Sequence, residues 1–187
     1  MQDAAKGSSV FLDEQIKAVA LGDKSALAAL YECAKTSVYA YALSVVKTRQ
    51  DAEDVLQDVL LEIWRSAPSY VSMGKPMAWI ITITRSICLM KLRARSRTAD
   101  EPPDLDLLGD KASNGLSPED RIVLKSCLEE LSEREREIVI LHAVSGLKHK
   151  EIAKILGLPL STVLSKYNRA IHKLRKTLQE NTEGALA

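Results

Sequence analysis

Apolar residues recur along this chain at spacings of three and four, the period of a helix lying on a core. Leu12, Ile16 and Val19 open the series, and Gly22 with Asp23 breaks it. Leu27, Leu30, Tyr31, Ala34, Val38 and Tyr41 then keep the same period. After a break at TRQD, the stretch DAEDVLQDVLLEIWRS sets Val55, Val59, Leu60 and Ile63 on one face. Asp51 is the expected cap of that helix, and acids in its first turn suit the helix dipole. The loop APSYVSMGKP follows, with Pro76 placed for the first turn of another helix. That helix, MAWIITITRSICLMKLRARSR, contains the alternating run IITITRSI, whose β-branched residues would also favour a strand. Its length without a breaker decides for a helix.

A second series begins at Pro118. Helices are expected over Pro118–Leu131 and Glu133–Ser145, the latter behind a capping box in which Ser132 caps and Glu135 stands three residues on. A pair of helices follows from near Lys148. Between the two series lies ADEPPDLDLLGDKASNGLSPED, acidic, rich in Pro, Asp, Gly and Ser, and without sustained apolar period. The expected fold is therefore all-α: two small helical domains joined by a flexible acidic linker, the C-terminal one a helix-turn-helix. The divisions are a disordered N-terminus over 1–11, a first domain over 12–98, a linker over 99–117, a second domain over 118–180 and a tail over 181–187.

Composition narrows the function classes. The net charge of +1 over 187 residues hides strong segregation of sign. The longest apolar stretch, around Met77 to Leu92, is interrupted by Arg85 and Lys91 and falls short of the roughly 20 residues a membrane helix needs. The first residues lack a basic end followed by an apolar run. A cytoplasmic protein with no membrane insertion of its own is expected. Cys33, Cys88 and Cys127 are odd in number and far apart, so free thiols are expected rather than a disulfide framework or a metal site. His142, His149 and His172 form no HExxH motif, and neither a phosphate loop nor GxSxG is present. No catalytic residue, metal or cofactor is expected, and His142 is placed on a helix surface.

The sharpest local pattern is HKEIAKILGLPLSTVLSKYNRAIHKLR. Ala153 is small where two helices would cross, Gly157 supplies a left-handed turn, and Val163 faces the core from the second helix. Ile152, Leu156 and Leu158 complete the apolar seam, and Ser161 or Leu160 sits at the start of the second helix, with Ser161 the natural cap. The exposed positions of that helix would be Thr162, Ser165, Lys166, Arg169, His172, Lys173 and Lys176. From Lys148 to Lys176 the one acid is Glu151. This suits a helix laid in the major groove, touching base edges near its start and phosphates along its length.

Two other segments are strongly signed. TRSICLMKLRARSR carries Arg85, Lys91, Arg93, Arg95 and Arg97 and no acid, with Thr82, Ser86 and Met90 on one helical face. Residue chemistry alone leaves open a second nucleic-acid contact or a solvated helix end. In DAEDVLQDVLLEIW, Asp54, Asp58 and Glu62 form a stripe opposite the apolar face. Read alone, such a stripe is a solvated surface.

In order, LGDKSALAALYE, DAEDVLQDVLLEIWRS, MAWIITITRSICLMKLRAR, the linker, LSEREREIVIL and GLKHKEIAKILGLPLSTVLSKYNRAIHKLR resemble an extracytoplasmic-function sigma factor of bacterial RNA polymerase. The resemblance runs from about Leu12 to Leu178. It implies a first domain that binds and helps open the −10 promoter element and a second that binds the −35 element. It implies that the acidic helix docks on the β′-side clamp of core RNA polymerase through Asp54, Gln57, Asp58, Leu61, Glu62 and Trp64. It implies −10 contacts by Thr82, Arg85, Ser86, Met90, Lys91 and Arg93, and −35 contacts by Thr162, Ser165, Lys166, Arg169, His172 and Lys173. It also implies an anti-sigma partner. This chain departs from the family pattern in having Ser86 where Asn is common, Met90 where Asp or Asn is frequent, and Leu164 and Ile171 where a basic residue is frequent. The alternative function is a conventional helix-turn-helix regulator that binds closed duplex DNA as a dimer.

Overall fold

A computed structural model describes the backbone of residues 2–98 and 118–184, and the side chains of 9–97 and 123–180. The expected linker over 99–117 lies outside the described residues. Among those described, every regular element is a helix: α1 (Gln2–Ala20), α2 (Lys24–Val46), α3 (Arg49–Ser66), α4 (Pro76–Thr98), α5 (Pro118–Glu129), α6 (Glu133–Ala143), α7 (His149–Leu156) and α8 (Leu160–Gly184), with a 3-10 turn at Ala67–Ser69. The first helix begins at Gln2, so the stretch expected to be disordered is helical from there on. Gln2, Ala4 and Ala5 are good helix formers, and Val10 and Phe11 further along α1 are exposed. At the other end, α8 runs on to Gly184, into the stretch read as a tail.

Local chemistry sets the breaks. Gly22 has φ +89, and Asp23 caps α2 by accepting from the backbone N–H groups of Ser25 at 2.8 Å and Ala26 at 3.2 Å. The α2–α3 break falls earlier than expected. Lys47 takes the left-handed conformation, and Thr48, not Asp51, is the cap of α3. Thr48 Oγ1 accepts from the Asp51 N–H at 3.2 Å and donates to Asp51 Oδ2 at 2.7 Å. The helix α4 takes the whole alternating run. Thr84 Oγ1 is buried and donates to the Ile80 carbonyl, four residues back, at 2.9 Å, so its hydroxyl is satisfied inside the helix.

The helices α1 to α4 share one core built around Ile16, Leu30, Val38, Val55, Val59, Ile63 and Ile80. The second core joins Ile138, Leu141, Ile152, Leu156 and Val163 of α6, α7 and α8 to two residues of the first domain, Tyr41 and Ile81. These two are 1% and 0% exposed. The domains therefore meet through apolar side chains. Polar links frame the contact: Ser37 Oγ donates to the Val144 carbonyl at 3.3 Å, Lys47 pairs with Glu133, and Lys75 Nζ lies 3.2 Å from Glu151 Oε1. Glu137 of α6 is buried in this junction, where desolvation pushes its carboxyl above the usual range against the pull of Arg134 and Arg85.

Candidate functional site

The acidic face is built by α3. Val55, Leu56, Val59 and Ile63 anchor the helix in the first core, which turns Asp54, Gln57, Asp58 and Leu61 to solvent. Asp54 and Asp58 are thus exposed together, one turn apart, and Leu61 beside them is 58% exposed. Glu62 and Trp64 are half-buried at the rim, and Trp64 packs on the first core. Of the expected six, Asp54, Gln57, Asp58 and Leu61 share an exposed face, apolar at Leu61 and anionic at Asp54 and Asp58.

The basic helix α4 crosses beside α3. Its outward row is Thr82, Ser86, Met90 and Arg93, all exposed. Thr82 Oγ1 donates to the Ala78 carbonyl at 2.7 Å, which leaves its oxygen to accept. The other two expected contacts point elsewhere. Arg85 is half-buried, and its charge acts on Glu137 and Tyr41 of the domain junction. Lys91 turns onto α3, with Nζ 2.8 Å from Asp54 Oδ2 and 3.3 Å from Asp51 Oδ1. Arg95 Nη2 lies 3.1 Å from Asp51 Oδ2. Burial of Asp51 works against its charge, but Thr48, Lys91 and Arg95 together hold its carboxyl below the usual range. Tyr70, in the loop before α4, is engaged at both ends: its ring centroid lies 4.8 Å from that of Trp79, and its hydroxyl donates to Asp13 Oδ1 at 2.7 Å.

The helix-turn-helix has the geometry its spacing predicts. Gly157 sits at φ +66, and the Leu158 N–H bonds back to the Ala153 carbonyl at 2.9 Å, so that α7 ends in a Schellman turn. Ala153 is buried at the crossing and Val163 is 0% exposed. The second helix starts at Leu160, so Ser161 lies inside its first turn and is not its cap. Ser165, Arg169, His172 and Lys176 are exposed as expected, while Thr162 and Lys166 are half-buried. Lys173 is not free: its Nζ lies 2.9 Å from Glu135 Oε2 and 3.3 Å from the Glu130 carbonyl. Glu135 is the buried partner in the capping box, and Lys173 and Ser132 outweigh its desolvation and bring its carboxyl down to about 2.

One cluster escaped sequence reading. His142 is half-buried rather than on the surface, its ring stacked on His149 with centroids 4.4 Å apart. Both rings meet the edge or face of Tyr167, at 5.0 and 4.7 Å. His142 Nδ1 bonds the Leu147 carbonyl at 2.9 Å. Desolvation, helped by His142, lowers the His149 pKa below the ordinary histidine value. The pair pins the α6–α7 turn against α8, and nothing in its spacing of seven residues signals this. Among the described residues no group of three metal-ligating side chains converges, and the three cysteines are free thiols, Cys88 and Cys127 buried and Cys33 exposed.

Residues 30–98 match the family described as Sigma-70 region 2, and residues 121–174 match Sigma-70, region 4. Among curated proteins, the chain is 27% identical over 179 residues to the "ECF RNA polymerase sigma factor SigK" of Mycobacterium ulcerans (strain Agy99), covering 92% of this chain and 96% of that one. It is 28% identical over 177 residues to the SigK of Mycobacterium bovis (strain BCG / Pasteur 1173P2), covering 89% and 93%. Among solved structures it resembles the sigma factor RpoE of Bartonella quintana, crystallised with the anti-sigma factor NepR, with TM-score 0.65 and 29% identity over 76% of this chain and 89% of that one. It shares its fold with CnrH, solved with the cytosolic domain of CnrY, with TM-score 0.62 and 22% identity over 91% and 98% of the two chains. Matched in order by regions 2 and 4, and along about nine-tenths of its length by relatives that are extracytoplasmic-function sigma factors, the chain belongs to that group of the sigma-70 family.

Proposed function

We propose that this chain directs promoter-specific transcription initiation with its three outward faces divided among three partners. The acidic surface of α3 docks on a basic region of core RNA polymerase, on the β′ side. The row Thr82, Ser86, Met90 and Arg93 of α4 meets the −10 element. The exposed positions of α8, led by Ser165 and Arg169, enter the major groove at the −35 element. The observation that carries this reading is the adjacency of α3 and α4. A helix of one sign lies against a helix of the other, and each keeps its own row to solvent. A protein that only bound duplex DNA would gain nothing from an exposed acidic row next to its DNA-binding helix, and would be repelled there. For that reason the reading as a dimeric duplex-binding regulator is not favoured.

Ser86 has less reach than an asparagine and Met90 offers only apolar contact, so base preference at −10 rests on a small hydroxyl beside a thioether. Leu61 adds an apolar contact about one turn beyond Asp58, and the anionic pair Asp54 and Asp58 favours docking on a cationic partner and speeds encounter. An anti-sigma protein is a further expected partner. The domain junction offers it two domains already together.

The deciding experiment adds the pure chain to bacterial core polymerase and a promoter library and reads initiated transcripts. Initiation from a defined subset of promoters, dependent on the chain, is the expected result. Transcription that ignores the chain with the cognate core enzyme would refute the proposal.

A further inference from the structure

Lys91 stands where two faces of α4 meet. One turn back, Ile87 and Cys88 are buried, whereas the residue before it, Met90, is 61% exposed in the row assigned to DNA. The ammonium group could serve that row. Instead it lies on α3, between Asp54 and Asp51. Its side chain is 27% exposed and that of Asp54 is 53% exposed. Burial works against the charge on Lys91, but the two carboxylates outweigh it and hold its pKa above that of an ordinary lysine. Asp54 thus serves two surfaces: it belongs to the row offered to polymerase, and it holds a cation of the helix offered to DNA.

We infer that Asp54, backed by Asp51, occupies Lys91 as an internal substitute for a DNA phosphate, and that docking of cationic polymerase side chains on Asp54 hands Lys91 to the DNA. The inference rests on the assignment of α3 to polymerase and α4 to DNA. Carboxylate and phosphate oxygens are both anionic acceptors for an ammonium group, so the exchange keeps each charge paired. A lysine has a flexible four-carbon stem and three rotatable donors, so Nζ can change partners without movement of the helix. A cation arriving at Asp54 from polymerase replaces Lys91 there. By linkage the effect is reciprocal: DNA that takes Lys91 from Asp54 strengthens polymerase binding by the same factor by which polymerase strengthens DNA binding. For a partly exposed pair that factor is about two- to fivefold.

The test uses the full chain with Asp54→Asn, Lys91→Ala, both together, and Lys91→Arg, each checked for an unchanged thermal melt. Binding to a random-sequence duplex is followed across a salt series, and binding to core polymerase is measured separately. The inference expects Asp54→Asn to tighten duplex binding about two- to fivefold and to steepen the salt dependence by about 0.9 in log–log slope, one released phosphate contact. That gain should vanish in the double variant. Lys91→Ala should tighten core binding about two- to fivefold, and Lys91→Arg should restore the original value. A gain from Asp54→Asn that survives in the double variant would overturn the inference, because it would then be a general charge effect. Lys91→Ala that leaves core binding unchanged or weaker would overturn it as well. Failure of the parent assignment looks different: reversing Asp54 and Asp58 to lysine would leave core affinity intact. That result removes both the assignment and the inference.

Discussion

Single residues set the precision of the DNA-binding elements. Gly157 holds a left-handed conformation that closes α7, and a Cβ added there meets no neighbour within 4 Å. Its cost is therefore backbone strain and not a clash. Gly157→Ala should lower stability by about 1 kcal/mol, read as a fall in denaturant midpoint with unchanged slope. Arg169 is exposed on α8, and its Nε reaches the Ser165 carbonyl only at the long distance of 3.4 Å. Arg169→Ala should weaken −35 duplex binding and reduce the salt slope by about 0.9. Lys173→Ala should differ. Lys173 is committed to Glu135, so its removal should lower thermal stability through a bared carboxylate and change the salt slope less than Arg169→Ala does. Sequence periodicity put Lys173 among the exposed positions of α8, and in the structure it is half-buried between exposed His172 and the α6 cap. What periodicity could not show was a carboxylate brought within reach from 38 residues away.

At the scale of elements, most of the fold was legible because apolar spacing, caps and breakers agreed. The capping box at Ser132, the turn at Gly157 and the first-turn proline of α4 all do what their positions require. The misplaced cap of α3 has a clear cause. Thr48 and Asp51 are both good caps, and two helical residues, Arg49 and Gln50, separate them. Only the left-handed Lys47 fixes which one ends the break. The acidic helix was legible as amphipathic but not as half of a pair, because the ion pairs with α4 depend on how the two helices cross. Reversing two charges on its outer row, Asp54→Lys with Asp58→Lys, should abolish binding to core polymerase while helical content by circular dichroism stays the same. Their neighbours Val55 and Val59 carry the packing.

For the whole molecule, the junction between domains is the feature sequence reading did not reach. Tyr41 follows the same period as the other core residues of α2, and nothing local marks it as belonging to the second core. Burial raises the Glu137 carboxyl there, facing Arg134 and Glu133 of its own helix, Arg85 and Cys88 of α4 and Tyr41 of α2. A carboxyl whose pKa is higher when the domains are together binds its proton more tightly in that state. Acidification through the raised pKa should therefore strengthen the contact, and raising the pH above it should weaken the contact. Fluorescence energy transfer between labels on α3 and α8 would report this, and Glu137→Gln should leave the signal independent of pH in that window.

Tyr41 and Ile81 belong by chain to one half of the protein and by packing to the other. Severing the chain between residues 98 and 118 should not release two independent pieces. The halves would remain a noncovalent pair, and the intact connection would add only local concentration to an attachment that the side chains already make. Two separately expressed halves should then reassemble on mixing and elute together from a sizing column, and Tyr41→Ala should separate them.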